Sequence, residues 1–269
     1  YGQRFAPDAK IVQIDIDGRE LGHNRNIDLG IQADAKAAMS QLLAEAEARD
    51  GEFADRLESD WVIRLREDND RRAEQSAPLL NSDAQPIHPL RLCKEIREFL
   101  DRDAIVSVDG NEILHFGRQS IPTNVPGHRL NSGVTGTMGV GLPYGIGAQL
   151  AKPDAQVLVL HGDGSMGQNA MEIDTAVRHN LPVVTVISNN AGWTARTPGQ
   201  RKPGRELGFT AYHKMAESLD AYGEEVTDPA EIKPALDRAY SSGKAAVINV
   251  IVEPTAAGVS RAWGGSRME

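Results

Sequence analysis

A single cysteine, Cys93, denies the chain any internal disulfide, and its place among the apolar residues of an expected helix marks it as packing rather than a nucleophile. Such thrift with thiols fits a reducing compartment, so the cytoplasm is the expected location. Positive charge is not in excess: 29 lysines and arginines face 38 aspartates and glutamates, a net charge of −9. Phosphate backbones require clustered Lys and Arg, which excludes nucleic acid as a general partner. No apolar run reaches the roughly 18 residues of a membrane span, and the first residues lack the charged-then-apolar layout of a secretory signal. No repeat or low-complexity tract occurs, and His88, His115, His128, His161 and His213 lack metal-ligand spacing. His115 and His161 fall near expected strand ends and are read as hydrogen-bonded structural histidines rather than proton shuttles. The chain begins at Tyr1 without a methionine and runs almost at once into an apolar stretch, so a piece of a longer polypeptide is expected.

What is present suffices for a core: 269 residues, 40% hydrophobic, make one large domain or one domain and part of another. Residues 11–17 form a β-rich run closed by Gly18, and 34–49 carry apolar residues at helical spacing behind a capping Asp34. Residues 1–50 therefore read as the last strand and helix of an α/β domain. Residues 51–85 are charge-rich, with Arg64, Arg66, Arg71 and Arg72 interleaved with acids, and read as an exposed, partly helical linker. Over 86–253 helices are expected at 89–100, 137–150, 169–179, 211–219 and 229–240, and strands at 105–108, 156–160, 183–188 and 246–252. Nearly continuous apolar strands alternating with helices predict a doubly wound parallel sheet, covered on both faces. The tail 254–269, with Gly258, Gly264 and Gly265 around Trp263, has the composition of an active-site flap or of a disordered end.

Two strand ends carry the chemistry. Leu160 runs into Gly162-Asp163-Gly164-Ser165, and Ile187-Ser188 runs into Asn189-Asn190-Ala191-Gly192, so both loops open on one edge of the sheet. Glycines admit a phosphate close to backbone amides, Ser165 adds a hydroxyl, and a following helix points its positive end at the anion. Mg²⁺ takes hard oxygen donors, which Asp163, Asn190 and the Gly192 carbonyl supply. Gly, Asp and Asn also favour ordinary turns. The spacing decides between the readings: Gly-Asp-Gly, then Asn-Asn after twenty-four intervening residues, each directly behind an apolar strand. This pattern resembles thiamine-diphosphate enzymes of the pyruvate decarboxylase and acetolactate synthase type. The likeness extends over most of 86–253, and 5–43 is similar to the end of the Rossmann-like middle domain of these enzymes.

The resemblance implies the thiamine-diphosphate-binding fold and an enzyme that breaks or makes carbon–carbon bonds next to a carbonyl. It implies that Asp163 and Asn190 bind Mg²⁺ through side chains and Gly192 through its carbonyl, while Gly164 and Ser165 face the diphosphate. Gly136-Thr137-Met138-Gly139 stands where these enzymes keep an apolar wedge between the cofactor rings. Met138 is then the wedge, with the Gly136 carbonyl and the Met138 amide contacting the aminopyrimidine. Gly110, Asn111 and Glu112 match a second diphosphate contact, although turn formation and helix capping explain the same letters. The glutamate that activates the cofactor belongs, in the family, to a pyrimidine-binding domain of a neighbouring subunit, and this chain has no counterpart of it. A homodimer or homotetramer with sites between subunits is implied.

Among family members, Gly-Thr-Met-Gly combined with Met171-Glu172-Ile173-Asp174-Thr175 and Arg178-His179-Asn180-Leu181-Pro182 is most similar to 2-hydroxyacyl-CoA lyases and oxalyl-CoA decarboxylase. Acetolactate synthases share Gly-Thr-Met-Gly and Gly141-Leu142-Pro143, and the loop 190–196 departs from both groups. The implied reaction is cleavage or formation of a 2-hydroxyacyl-CoA, with a ketone or aldehyde plus formyl-CoA on the other side. An acetolactate synthase-like carboligase, an oxalyl-CoA decarboxylase-like decarboxylase and a non-catalytic cofactor-binding subunit are the alternatives. The nucleotide end of CoA calls for cations near the middle domain; Arg4, Lys10, His23 and Arg25 are available, and each also reads as solvated surface charge. Glu206, in the polar segment 200–208, is the expected substrate-facing acid or base, with a first-turn helix acid as its other reading.

Overall fold

The structure, a computed structural model, describes residues 5–6 and 8–257 and comprises two compact units, Tyr1–Ala73 and Glu74–Glu269. In the first unit, β1 (Val12–Asp15) pairs in parallel with β2 (Leu29–Gln32), and α1 (Ala35–Ala48) follows. The Asp34 carboxylate caps α1 by accepting from the Ala37 amide at 3.0 Å, satisfying one of the helix's unpaired N–H groups. β2 was not expected, because four residues with an internal glycine give almost no strand signal.

Residues 50–80 are more helical than a partly helical linker. They hold α2 (Asp50–Phe53), a 3₁₀ turn (Ala54–Glu58) and the long α3 (Asp60–Leu80), none of whose residues is buried. Charge alternation hid this helix, and pairs such as Asp68–Arg71 at 2.6 Å now support it along its surface. Lys10 pairs with Asp28 and His23 with Glu20 on exposed surface, while the Arg25 guanidinium lies 4.5 Å from the centre of the Phe5 ring. Arg4 lies outside the described residues. Among the described residues no helix is long and apolar enough to cross a membrane.

The second unit is built on six strands: β3 (Ile105–Asp109), β4 (Arg129–Leu130), β5 (Val157–Gly162), β6 (Val184–Asn189), β7 (Tyr222–Val226) and β8 (Ala246–Ile251). Their order is β4-β3-β5-β6-β8-β7, with every neighbouring pair parallel. Strand side chains alternate between two cores. Val106, Leu158, Leu160 and Ile248 meet α4 (Pro89–Phe99), α5 (Glu112–Ser120) and α10 (Ile232–Ser241) on one face. Val157, Val159 and Val247 meet α6 (Gly141–Ala151), α7 (Asp163–Asn169), α8 (Glu172–Arg178) and α9 (Tyr212–Ser218) on the other. Each fully buried aliphatic side chain contributes about 1.5–3 kcal/mol, so burial on two faces explains why the central strands β3, β5, β6 and β8 are mostly apolar. Cys93 is fully buried in the first core, and burial pushes its thiol up to about 12, as befits a packing residue.

Several elements differ from the expectation. The helix expected at 169–179 is the shorter α8, which starts at Glu172; the stretch 137–140 is a loop before α6; α5, α7, β4 and β7 are additional. The topology also fixes where a ligand can sit. From β3 the chain passes to β4 at the edge and then returns to β5 on the other side of β3, so a crevice opens above the carboxyl ends of β3 and β5.

Candidate functional site

Three loops leave adjacent strand ends at this crevice. β3 ends in Asp109 and continues into Gly110-Asn111-Glu112, β5 passes from Gly162 directly into α7, and β6 passes from Asn189 into Asn190. One cleft is lined by Gly110, Asn111, Glu112, Met138, Asp163, Gly164, Ser165, Asn190 and Gly192, together with Trp193. The structure thus gathers every singled-out residue except Gly136 and Glu206.

Asp163 is the first residue of α7 and is 2% exposed. Its Oδ2 accepts from the Gly192 amide at 2.9 Å, which ties the β5 loop to the β6 loop, and its carbonyl accepts from the Tyr212 hydroxyl at 2.9 Å. Burial raises the Asp163 carboxyl to about 6 against the opposing pull of nearby backbone amides, and no cationic side chain offsets it. The buried Asn190 side chain makes no hydrogen bond among the described residues. Ala191 takes a left-handed φ of 54°, with its carbonyl held by the Leu207 amide at 2.9 Å and the Arg196 guanidinium at 3.1 Å. The Gly192 carbonyl shares a peptide plane with the Trp193 amide, which donates to the Arg205 carbonyl at 3.0 Å and so orients it.

A buried carboxylate without a cation, an unpaired amide side chain and a fixed carbonyl form a hard-oxygen donor set suited to a divalent cation. No group of three or more His, Cys, Asp or Glu side chains capable of holding a metal exists among the described residues, so such a cation also needs oxygens from its anionic ligand. A pH dependence follows. Because folding lifts the Asp163 pKa above the ordinary carboxylate value, its ionisation destabilises the metal-free fold as pH rises from about 4 through about 6. A divalent cation binds a carboxylate only in its ionised form. The melting-temperature gain from Mg²⁺ with inorganic diphosphate is therefore expected to grow between about pH 5 and about pH 7, and to grow much less in Asp163→Asn. An equal pH response of the two proteins would remove Asp163 from the metal site.

The anion side of the cleft is close-fitting. A Cβ at Gly164 would fall 2.7 Å from the Trp193 ring, so only glycine leaves this backbone open beside the indole. The Ser165 hydroxyl lies 3.0 Å from the carbonyls of Asp109 and Gly162 and 3.0 Å from Nδ1 of His161. His161 is 1% exposed and burial holds it neutral, its pKa lowered to about 3. Although Asp109 Oδ2 stands 3.8 Å from His161 Nδ1, that oxygen accepts from the Gly141 amide at 2.8 Å, so the two side chains are not an ion pair. Asn111 precedes α5 without a capping side-chain bond, and Glu112 in its first turn accepts from the Ala195 amide at 3.3 Å. Met138, half-buried, is carried into the cleft by a loop whose Gly139 has φ 90° and whose Gly139 carbonyl accepts from the Asn169 side chain at 2.6 Å.

Gly136, also left-handed at φ 66°, is exposed and does not line the cleft. Glu206 is displaced more decisively. Its backbone bridges Gly192, but its side chain is 42% exposed and pairs with Arg201 at 3.6 Å. It also precedes α9 by too far to be a first-turn acid. Trp193, Tyr212 and Arg196 are site residues that sequence reasoning passed over. An aromatic directly after Asn-Asn-Ala-Gly was a usable signal for Trp193, whereas Tyr212 reaches Asp163 only through the tertiary fold. Most of the expected tail flap, 258–269, lies outside the described residues.

Comparison with known proteins agrees with this geometry. Residues 114–250 match the family model of the thiamine pyrophosphate enzyme C-terminal TPP binding domain, and residues 1–42 match that of the central domain. A probable acetolactate synthase of Mycobacterium bovis is 32% identical over 268 residues, covering 96% of this chain and 47% of the relative. A 2-hydroxyacyl-CoA lyase of Arabidopsis thaliana is 31% identical over 271 residues, covering 94% and 46%. The chain thus spans about half the length of the curated relatives it matches. In structure it is similar to the thiamine diphosphate-dependent 4-hydroxybenzoylformate decarboxylase of Rhodococcus jostii RHA1, with a TM-score of 0.60 and 25% identity over 65% of this chain and 34% of the other. With two loops of oxygen donors and open backbone placed on adjacent strand ends and both domain families matched in order, the chain belongs to the thiamine pyrophosphate enzymes, which use thiamine diphosphate with a divalent metal, typically Mg²⁺.

Proposed function

We propose that the chain is the diphosphate- and metal-holding half of an enzyme that cleaves or forms a 2-hydroxyacyl-CoA, with a ketone or aldehyde plus formyl-CoA on the other side. The observation that carries the cofactor part is the buried Asp163 carboxylate, clamped to the Gly192 amide beside Asn190 and Ser165. In this reading Asp163 and Asn190 hold Mg²⁺ with their side chains and Gly192 with its carbonyl. Gly164 and Ser165 receive the diphosphate, and Gly110, Asn111 and Glu112 border it. When bound, the cofactor supplies a nucleophilic carbon and a sink for the electrons of the breaking bond. The chain's own work is to fix the anion and metal, to wedge the cofactor with Met138, and to keep water from the buried side of the cleft. A pyrimidine-binding N-terminal half and a second subunit complete the site, in a cytoplasmic homodimer or homotetramer. The complete donor set weighs against a non-catalytic subunit, which has no need of metal ligands and a ring wedge together.

The substrate class rests on the segments 171–175 and 178–182, most similar to 2-hydroxyacyl-CoA lyases, together with the Arabidopsis thaliana relative. A carboligase acting on 2-oxo acids is the second reading, favoured by the Mycobacterium bovis relative, which is 32% identical against 31% for the lyase. The full-length protein with thiamine diphosphate and Mg²⁺ distinguishes them. Formyl-CoA released from a 2-hydroxyacyl-CoA, followed by mass spectrometry, is expected. Consumption of pyruvate to acetolactate without formyl-CoA would establish the second reading, and carbon dioxide from oxalyl-CoA a decarboxylase.

A further inference from the structure

His161 reads in sequence as a structural histidine, yet its surroundings are unusual. It is fully buried at the end of β5, two residues before the metal-binding Asp163 of the reading above, on which this inference rests. Nδ1 meets the Ser165 hydroxyl at 3.0 Å, while Nε2 has no hydrogen-bond partner among the described residues. Nε2 faces the backbone of α6: a Cβ added at Gly141 would stand 2.8 Å from Nε2 and from Cε1.

These contacts select a tautomer. With the proton on Nε2, a buried N–H would be left without an acceptor, the rarest and most costly kind of unsatisfied group. With the proton on Nδ1, the ring donates to Ser165 Oγ, and the serine proton goes to the carbonyl of Asp109 or Gly162, both at 3.0 Å. Only a bare ring nitrogen then lacks a partner, which costs less.

We infer that His161 is a positioning residue which, by donating Nδ1–H to Ser165 Oγ, makes the serine an obligate hydrogen-bond donor to the cofactor diphosphate. A hydroxyl that already accepts a hydrogen bond has its proton as its strongest remaining offer, and the donated bond polarises it further. The arriving phosphate oxygen needs only a rotation of the O–H away from a backbone carbonyl. The same arrangement directs Ser165 toward the anion and away from the metal, which Asp163, Asn190 and Gly192 serve.

The test uses substitutions that separate hydrogen bonding from packing. Asparagine places an amide N–H near the position of histidine Nδ1, whereas leucine fills the space without a donor. Thiamine diphosphate binding to full-length protein is measured by calorimetry with Mg²⁺, and ligand-free melting temperature is measured alongside. His161→Leu is expected to weaken binding about five- to tenfold, the scale of one hydrogen bond, and His161→Asn to restore it to within about threefold of wild type. Ser165→Ala should cost a similar factor in the wild-type background and almost nothing in the His161→Leu background. A merely structural histidine gives the opposite order, because leucine buries more comfortably than asparagine. If wild type binds and the leucine and asparagine variants bind alike, or the serine and leucine effects multiply fully, the inference falls alone. If wild type binds no thiamine diphosphate, the functional reading falls and takes the inference with it.

Discussion

Asp163→Ala is expected to weaken thiamine diphosphate binding in the presence of Mg²⁺ by at least about 100-fold, the scale of losing one buried charged partner. Asp163 is the sole carboxylate of the proposed donor set, so its removal leaves a dication and a diphosphate with neutral protein oxygens and amides alone. The fold should survive, because the ionised carboxylate is a burden on the metal-free protein: burial has raised its pKa to about 6. Alanine also leaves the Gly192 amide without its 2.9 Å acceptor. Asp163→Asn, which keeps an acceptor oxygen there, is therefore expected to melt at or above the wild-type temperature while still failing to retain the cofactor. Calorimetry and thermal melts read the two effects separately. Unchanged cofactor affinity in both variants would dismiss this loop as the metal site.

Met138→Ala is expected to lower kcat about tenfold to 100-fold while cofactor affinity changes by less than about threefold, since small misplacements of reacting atoms are costly in rate. In the proposed site the affinity is held by Asp163, Asn190, Gly192 and Ser165, which follow β5 and β6 and which the substitution leaves intact. Met138 shares their cleft but stands on the separate loop ahead of α6. What alanine removes is the bulk that presses the cofactor into shape. Met138→Leu, close in volume, should recover most of the rate. Equal losses of kcat and affinity would make Met138 a binding contact instead, and an unaffected kcat would make it filler.

The second unit was legible wherever a single local cause determined the structure. β5 and β6 show themselves because burial on both faces makes most of their residues apolar, and the two loops of the proposed metal site show themselves because they follow those runs directly. α7 did not, because Asp163-Gly164-Ser165-Met166-Gly167 consists largely of turn formers, and its helical shape comes from packing at the sheet edge. β7, with two glutamates and a glycine in five residues, becomes a strand only through its pairing with β8. α5 was hidden by Gly117, a weak helix former, although a Cβ there would meet Val108 and Leu160 only at ordinary contact distance. Glu206 misled for a different reason. Its place in the polar segment beyond the β6 loop suggested a substrate-facing acid or base, while its backbone is in fact recruited to Gly192 and its partly exposed carboxylate pairs with Arg201.

The segment that follows the metal loop leaves Gly192 and folds back, with the Gly192–Glu206 bridge, the Trp193 amide on the Arg205 carbonyl at 3.0 Å and the Leu207 amide on the Ala191 carbonyl at 2.9 Å. Those anchors are main-chain, except for the Arg196 side chain. A segment fastened mainly through its backbone tolerates change in most of its own side chains, while the proposed metal ligands keep their places. Evolution of a new specificity on this scaffold therefore has a route that does not pass through loss of the cofactor, and the unusual residues 193–196 are where such a history would have left its mark.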